Sequence, residues 1–202
     1  MVMVYAPRHL RAGTELFATH IGPWITRART FANTANPGNV GFGVLFGGAP
    51  DNATALVEDW FGILDGNQLA TLVTNLTLMR TVLLHPQASV RIIDAPMIHG
   101  DRDYYAQVRG GYNPRMPRLS VEVADEWRAA NLDTKVNSLF HELSHRILGT
   151  LDVGPTEGYP QDMYGIVNAQ HLATAAPDDA LVNAENYGYF IALCNGYVNQ
   201  AP

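Results

Sequence analysis

Ser138-Leu139-Phe140-His141-Glu142-Leu143-Ser144-His145 is the stretch from which the rest of the chain is read. Two histidines at i and i+4 project from one face of a helix, where both imidazoles reach a single metal ion. Glu142 lies beside His141 on the flank of that face, placed to polarise a zinc-activated water. His-Glu-x-x-His on a helix therefore predicts a zinc site that carries its own base, with peptide hydrolysis as its chemistry. Val136, Leu139, Phe140, Leu143 and Ile147 form an apolar stripe along the same helix, and the two histidines fall on the side opposite that stripe, facing a cleft. Asp133 reads as the N-cap and Gly149 as the helix stop.

Immediately upstream the hydrophobic period changes from helical to alternating. Residues 89–94, 104–109 and 118–123 read as three strands, with Gly110-Gly111-Tyr112-Asn113-Pro114 as a turn. Further back, 52–64 and 67–85 read as helices, the second stopped by Pro86, and 14–31 as a helix that Gly22-Pro23 bends or breaks. Residues 1–13 read as an arm and 33–50 as a glycine-rich mobile loop. Gly41-Phe42-Gly43 within that loop has no following lysine and no strand-then-helix setting, which excludes a phosphate loop. Downstream, 153–163 is a loop, 164–176 a helix ended by Pro177, and a last helix, capped by Asp178 or Asp179, runs to about Val198. The expectation is one α+β domain over 1–202: a helical part over 1–86, then over 87–202 a small mixed sheet preceding the His-Glu helix, and C-terminal helices.

Composition narrows the function classes. With 202 residues and 47% hydrophobic content the chain can bury a core. A net charge of −6 argues against nucleic acid as a partner. Cys194 is the single cysteine, so no internal disulfide forms. No run of about 18 apolar residues predicts a membrane span, and the N-terminus lacks a basic segment followed by an apolar one. Export without a conventional signal peptide, from the cytoplasm and in the manner of an effector, is the expected localisation. Of the 13 basic residues, only Lys135 is lysine. Self-protection of a lysine-cleaving enzyme and a GC-rich source both account for that scarcity.

A catalytic zinc needs three protein ligands and one open position. Asp152 follows His145 by seven residues, just beyond the Gly149 stop, where the chain can curl back; Glu157 and Asp162 compete for the same role. His9, His20, His85, His99 and His171 have no partner at ligand spacing and read as structural or surface residues, as do Asp101, Arg102 and Asp103 after Gly100.

His-Glu-Leu-Ser-His, then Gly149-Thr150-Leu151-Asp152, then Tyr164-Gly165, then Asn183-Ala184-Glu185-Asn186-Tyr187 with Phe190 resembles the aspzincins, the deuterolysin and peptidyl-Lys metalloendopeptidase family. The resemblance covers about residues 104–193. It implies a zincin-like fold, Zn²⁺ held by His141, His145 and Asp152, Glu142 as general base and acid, and Tyr164 stabilising the oxyanion. It also implies an edge strand near Leu119 and Val121 holding an extended protein or peptide substrate, and Glu185 in the pocket for the residue after the scissile bond. The chain departs from the family in two places. The stretch between Asp152 and Tyr164 is longer, and Gly188 stands where lysine-specific members carry a second acid. The expected function is a zinc-dependent metalloendopeptidase. The alternatives are a peptidase effector domain of a larger secreted protein and a catalytically silent, zinc-stabilised binding module.

Overall fold

The computed structural model describes residues 3–35, 52–62, 64–94, 106–108 and 118–197. The glycine-rich loop from 36 on, the turn 110–114, residues 104–105, and His99 through Asp103 lie outside the described residues, as does the end of the last helix at Val198.

The sheet is built around β2 (Ser89–Asp94). It pairs in parallel with β1 (Met3–Tyr5) on one side and with β4 (Arg118–Val123) on the other. β3 (Ala106–Val108) adds to β4 antiparallel, with Val108 opposite Val121, giving the order β1-β2-β4-β3. Residues 1–13 therefore do not form a simple arm: Met3 to Tyr5 pair with β2 in register Met3 to Ser89. A three-residue strand has too little pattern to be seen in sequence, and only its parallel partner defines it. β4 is not an edge strand. Because β3 lies on its far side, Leu119 and Val121 belong to an internal strand and are buried in the core.

A parallel β1–β2 pair requires a crossover connection. It is supplied by α1 (Arg11–Thr34), α2 (Asn52–Phe61) and α3 (Gly66–Leu83). α1 is continuous through Pro23, correcting the expected break. Pro23 sits on the exposed side, while Phe17, Ile21, Trp24, Ile25, Ala28 and Ala32 form a buried stripe on both sides of it. That burial, at about 1.5–3 kcal/mol for each large side chain, exceeds the cost of about 3 kcal/mol for the proline. α3 begins at a capping box: Asp65 accepts from the Asn67 and Gln68 amides, and the Gln68 side chain accepts from the Asp65 amide.

After β4 come the short α4 (Asp125–Ala129) and then α5 (Leu132–Leu148), which carries the His-Glu motif. Its cap is Asn131, whose Oδ1 accepts from the Thr134 amide at 2.9 Å, in place of the expected Asp133. Gly149 ends it at φ +73°, with its N–H on the His145 carbonyl. α6 (Gly165–Ala175), α7 (Pro177–Ala180) and α8 (Ala184–Cys194) complete the chain. The expected last helix is thus split, with Leu181–Asn183 turning the chain between α7 and α8. α5 packs most closely on α8 and also touches α3, β3 and β4. One apolar cluster runs from Leu10 through the sheet residues Val90, Ile92, Leu119, Val121 and Val123 to Cys194. The result is a mostly helical α+β fold with a small mixed sheet.

Candidate metal centre

The α5 helix sets His141 and His145 one turn apart, with ring centroids 4.7 Å apart and the rings nearly perpendicular. Their Nε2 atoms approach to 3.1 Å. The expected open setting holds only on one side. His141 is buried against Glu185 of α8 and Glu142 is buried beside Val108 of β3, while Asp152 and Tyr164 form the exposed side.

Beyond Gly149 the chain is strapped to the start of α8. The Leu151 amide donates to the Val182 carbonyl at 2.7 Å and the Ala184 amide to the Leu151 carbonyl at 2.9 Å. The Val153 amide donates to Asn183 Oδ1 at 3.2 Å. Between these bonds Asp152 turns inward, its Oδ1 3.1 Å from both His141 Nε2 and His145 Nε2. Ser144 reinforces the turn: its hydroxyl bonds the His141 carbonyl and the Thr150 hydroxyl, both at 2.7 Å.

The outer ring nitrogens fix what the inner ones offer. His145 Nδ1 lies 2.7 Å from the Thr150 carbonyl, which can only accept, so Nδ1 carries the proton. His141 Nδ1 lies 2.8 Å from Glu185 Oε2 and is likewise the donor. Both Nε2 lone pairs therefore face each other and a carboxylate oxygen. Three acceptor atoms within 4.8 Å of one another repel unless a positive charge lies between them. Two imidazoles and one carboxylate suit zinc in a three-ligand site. A proton supplies that charge when no metal does, and the imidazole then donates from Nε2 to Asp152. Burial works against charge on His141, but Asp152 and Glu185 outweigh it and raise its imidazolium to about 10. Burial also works against the charge of Asp152, yet hydrogen bonds from His141 and His145 hold its carboxylate far below the ordinary range.

Glu142 is buried, with Oε1 3.9 Å from His141 Nε2. Burial pushes its carboxyl upward, and the two histidines partly offset that. The backbone of Val108 on β3 hydrogen-bonds to it, so the edge strand and the base are in direct contact. Tyr164 stacks on His141 with centroids 5.9 Å apart and planes 29° apart, and its hydroxyl lies near the Asp152 carboxylate. Burial and the Asp152 charge push that hydroxyl upward, so it stays a proton donor.

Asp152 and Tyr164 meet because 153–163 is a closed excursion. Met163 N–H donates to the Val153 carbonyl at 2.8 Å, so the loop leaves and returns at one point. Its own acids serve the loop. Glu157 is fully exposed and accepts from the Gly154 amide at 2.9 Å and the Thr156 hydroxyl at 2.7 Å. Asp162 packs on Gly154, where any Cβ would fall 2.4 Å from its Oδ1. Neither joins His141 and His145 among the described residues.

Glu185, expected in the pocket for the residue after the scissile bond, lies against His141 and the start of α6. It is 8% exposed, with Oε2 toward His141 and Oε1 accepting from the Gly165 amide at 2.9 Å. Of the remaining histidines, His20 bonds Thr19 and the Leu16 carbonyl, His85 accepts from the Gln87 amide, and His171 is exposed on α6. Ser144, Thr150 and Asn183, whose hydrogen bonds hold the turn at Asp152, were quoted within the sequence motifs but given no role there. Gly-Thr at the helix exit and Asn at the start of the last motif were the available signals.

No family model matches the chain. An extracellular protease of Aeromonas hydrophila is 29% identical over 141 residues, which span 66% of this chain and 34% of that protein. The chain thus accounts for about a third of the length of this relative. A zinc peptidase from Grifola frondosa superposes with a TM-score of 0.66 at 20% identity, covering 95% of this chain and 99% of the other. The fold is therefore that of a zinc peptidase structure.

Proposed function

We propose that this chain is a zinc metallopeptidase that cleaves peptide bonds in protein or peptide substrates. The observation that carries the proposal is the convergence of three lone-pair donors, His141 Nε2, His145 Nε2 and Asp152 Oδ1, each 3.1 Å from the others, with both Nδ1 atoms occupied from behind. Zinc, when bound, supplies a Lewis acid that acidifies water and polarises a carbonyl. Glu142 accepts a proton from the attacking water and returns it to the leaving amine, and its burial suits a base that must also release a proton as an acid. Tyr164 donates its hydroxyl proton toward the developing oxyanion. The side of β3 that pairs with no strand among the described residues, next to Glu142, receives the substrate as an added extended strand. Glu185 and the start of α6 hold the machinery from behind.

The similarity to an extracellular protease supports action outside the cell, and among the described residues no helix is long and apolar enough to cross a membrane. Because the chain spans only 34% of that relative, a second reading keeps the same chemistry but places it within a longer exported protein, as a peptidase effector.

The test is a chelation and add-back series on a mixed peptide library. Cleavage that disappears on removing zinc and returns with about one equivalent supports the reading. Zinc binding with no cleavage of any peptide would leave only a zinc-stabilised module.

A further inference from the structure

We propose that Glu185 is a positioning residue that locks His141 and Tyr164 into one frame, and that its charge does not select the substrate. The site itself rests on the metallopeptidase reading; the zinc-affinity arm of the test below does not need turnover.

The argument begins with how closely α8 approaches α5. A Cβ at Gly188 would fall 2.2 Å from Asn137 Oδ1 and 2.9 Å from the Asn137 carbonyl oxygen. No side chain fits there, and only a bare backbone lets the two helices come this near. Glu185 precedes Gly188 by three residues and His141 follows Asn137 by four, so the same close crossing brings Glu185 level with His141.

The two carboxylate oxygens then divide the work. Oε2 takes the His141 Nδ1 proton at 2.8 Å, which fixes the tautomer and aims Nε2 at the metal position. Oε1 takes the Gly165 N–H at 2.9 Å. Gly165 stands at φ +80°, a conformation that residues with a Cβ rarely adopt. The pair Tyr164-Gly165 thus turns its backbone to meet Glu185 while the Tyr164 ring stacks back on His141. The contacts close a circuit through Glu185, His141, Tyr164 and Gly165. A cationic substrate side chain would have to displace two short, charge-assisted hydrogen bonds, one buried and one part-buried, to reach this carboxylate.

Glu185→Gln tests the assignment. A carboxamide has one acceptor oxygen, so it satisfies one of the two donors and sets its NH₂ against the other. Zinc affinity, measured by competition with a chromophoric chelator, is expected to fall about 10–100-fold. In the zinc-loaded enzyme kcat should fall while KM stays within about twofold, and the rank order of preferred residues after the scissile bond should not change. Gly165→Ala disturbs Tyr164 but leaves the Glu185–His141 bond, so it should keep zinc affinity and lower kcat. Wild-type zinc affinity in Glu185→Gln together with a changed residue preference would make Glu185 a substrate-binding acid and overturn the proposal. Wild-type affinity and turnover together would also overturn it. Should Glu185→Gln fail to fold, Glu185→Asp carries the same comparison, since the shorter side chain keeps the charge but cannot span both donors. A wild-type protein that binds zinc without cleaving peptides would remove the peptidase reading and leave the zinc-affinity comparison standing.

Discussion

Met163 donates its backbone N–H to the carbonyl of Val153 at 2.8 Å, and by that one bond makes neighbours of Asp152 and Tyr164, twelve positions apart in the chain. The loop between them contributes length and two acids, but the geometry gives the metal face to the residues at its base. Asp152 is strapped toward the histidines by the Leu151–Asn183 bridge, whereas Glu157 and Asp162 are held within the loop.

Asp152→Asn is expected to weaken zinc binding by at least about 100-fold, because a charged ligand is replaced by a neutral one in a three-ligand site. Asp162→Asn and Glu157→Gln should leave zinc content near one per chain by elemental analysis. Loss of zinc in Asp162→Asn with retention in Asp152→Asn would reverse the ligand assignment.

Glu142→Gln keeps the size and the burial of the side chain but removes the base. Peptide cleavage is expected to drop by about 10³-fold or more, with zinc content unchanged, since Oε1 is 3.9 Å from the nearest imidazole nitrogen and takes no part in the ligand set. Cleavage at the wild-type rate would remove Glu142 from the chemistry.

Tyr164→Phe retains the ring that stacks on His141 and deletes only the hydroxyl that meets Asp152. A loss of about 10²–10³ in kcat with a near-normal KM is the signature of a group acting on the transition state. A raised KM at constant kcat would instead assign Tyr164 to ground-state binding.

Gly188→Ala forces a methyl into the 2.2 Å gap over Asn137 Oδ1. Overpacking of this kind costs about 1–3 kcal/mol, and for a chain of this length each kcal/mol lowers Tm by about 2–4 °C. Calorimetry on the zinc-free protein measures that directly. An unchanged Tm would mean that α5 and α8 can separate freely.

The helix of the His-Glu motif and the shared face of its two histidines were legible because their spacing is local. A period of 3.6 residues and a four-residue separation of two histidines mean the same thing in any fold. The helices 14–31, 52–64 and 67–85 were visible for the same reason, to within a few residues of their ends. Asp152 was suggested by Gly149, whose positive φ turns the chain back whatever lies beyond it.

Tertiary structure decided what depends on partners distant in sequence. Met3–Tyr5 is a strand only because β2 lies beside it, and β4 is internal only because β3 pairs on its far side. No side-chain pattern encodes which strand a backbone will meet. The choice among Asp152, Glu157 and Asp162 rests on loop closure, a backbone hydrogen bond that any residue other than proline can donate. Glu185 meets His141 only because Gly188 lets its helix come close to Asn137. Local periodicity is written in single residues. The direction of a side chain at a helix crossing is set by the packing of two surfaces, and it exists only once they meet.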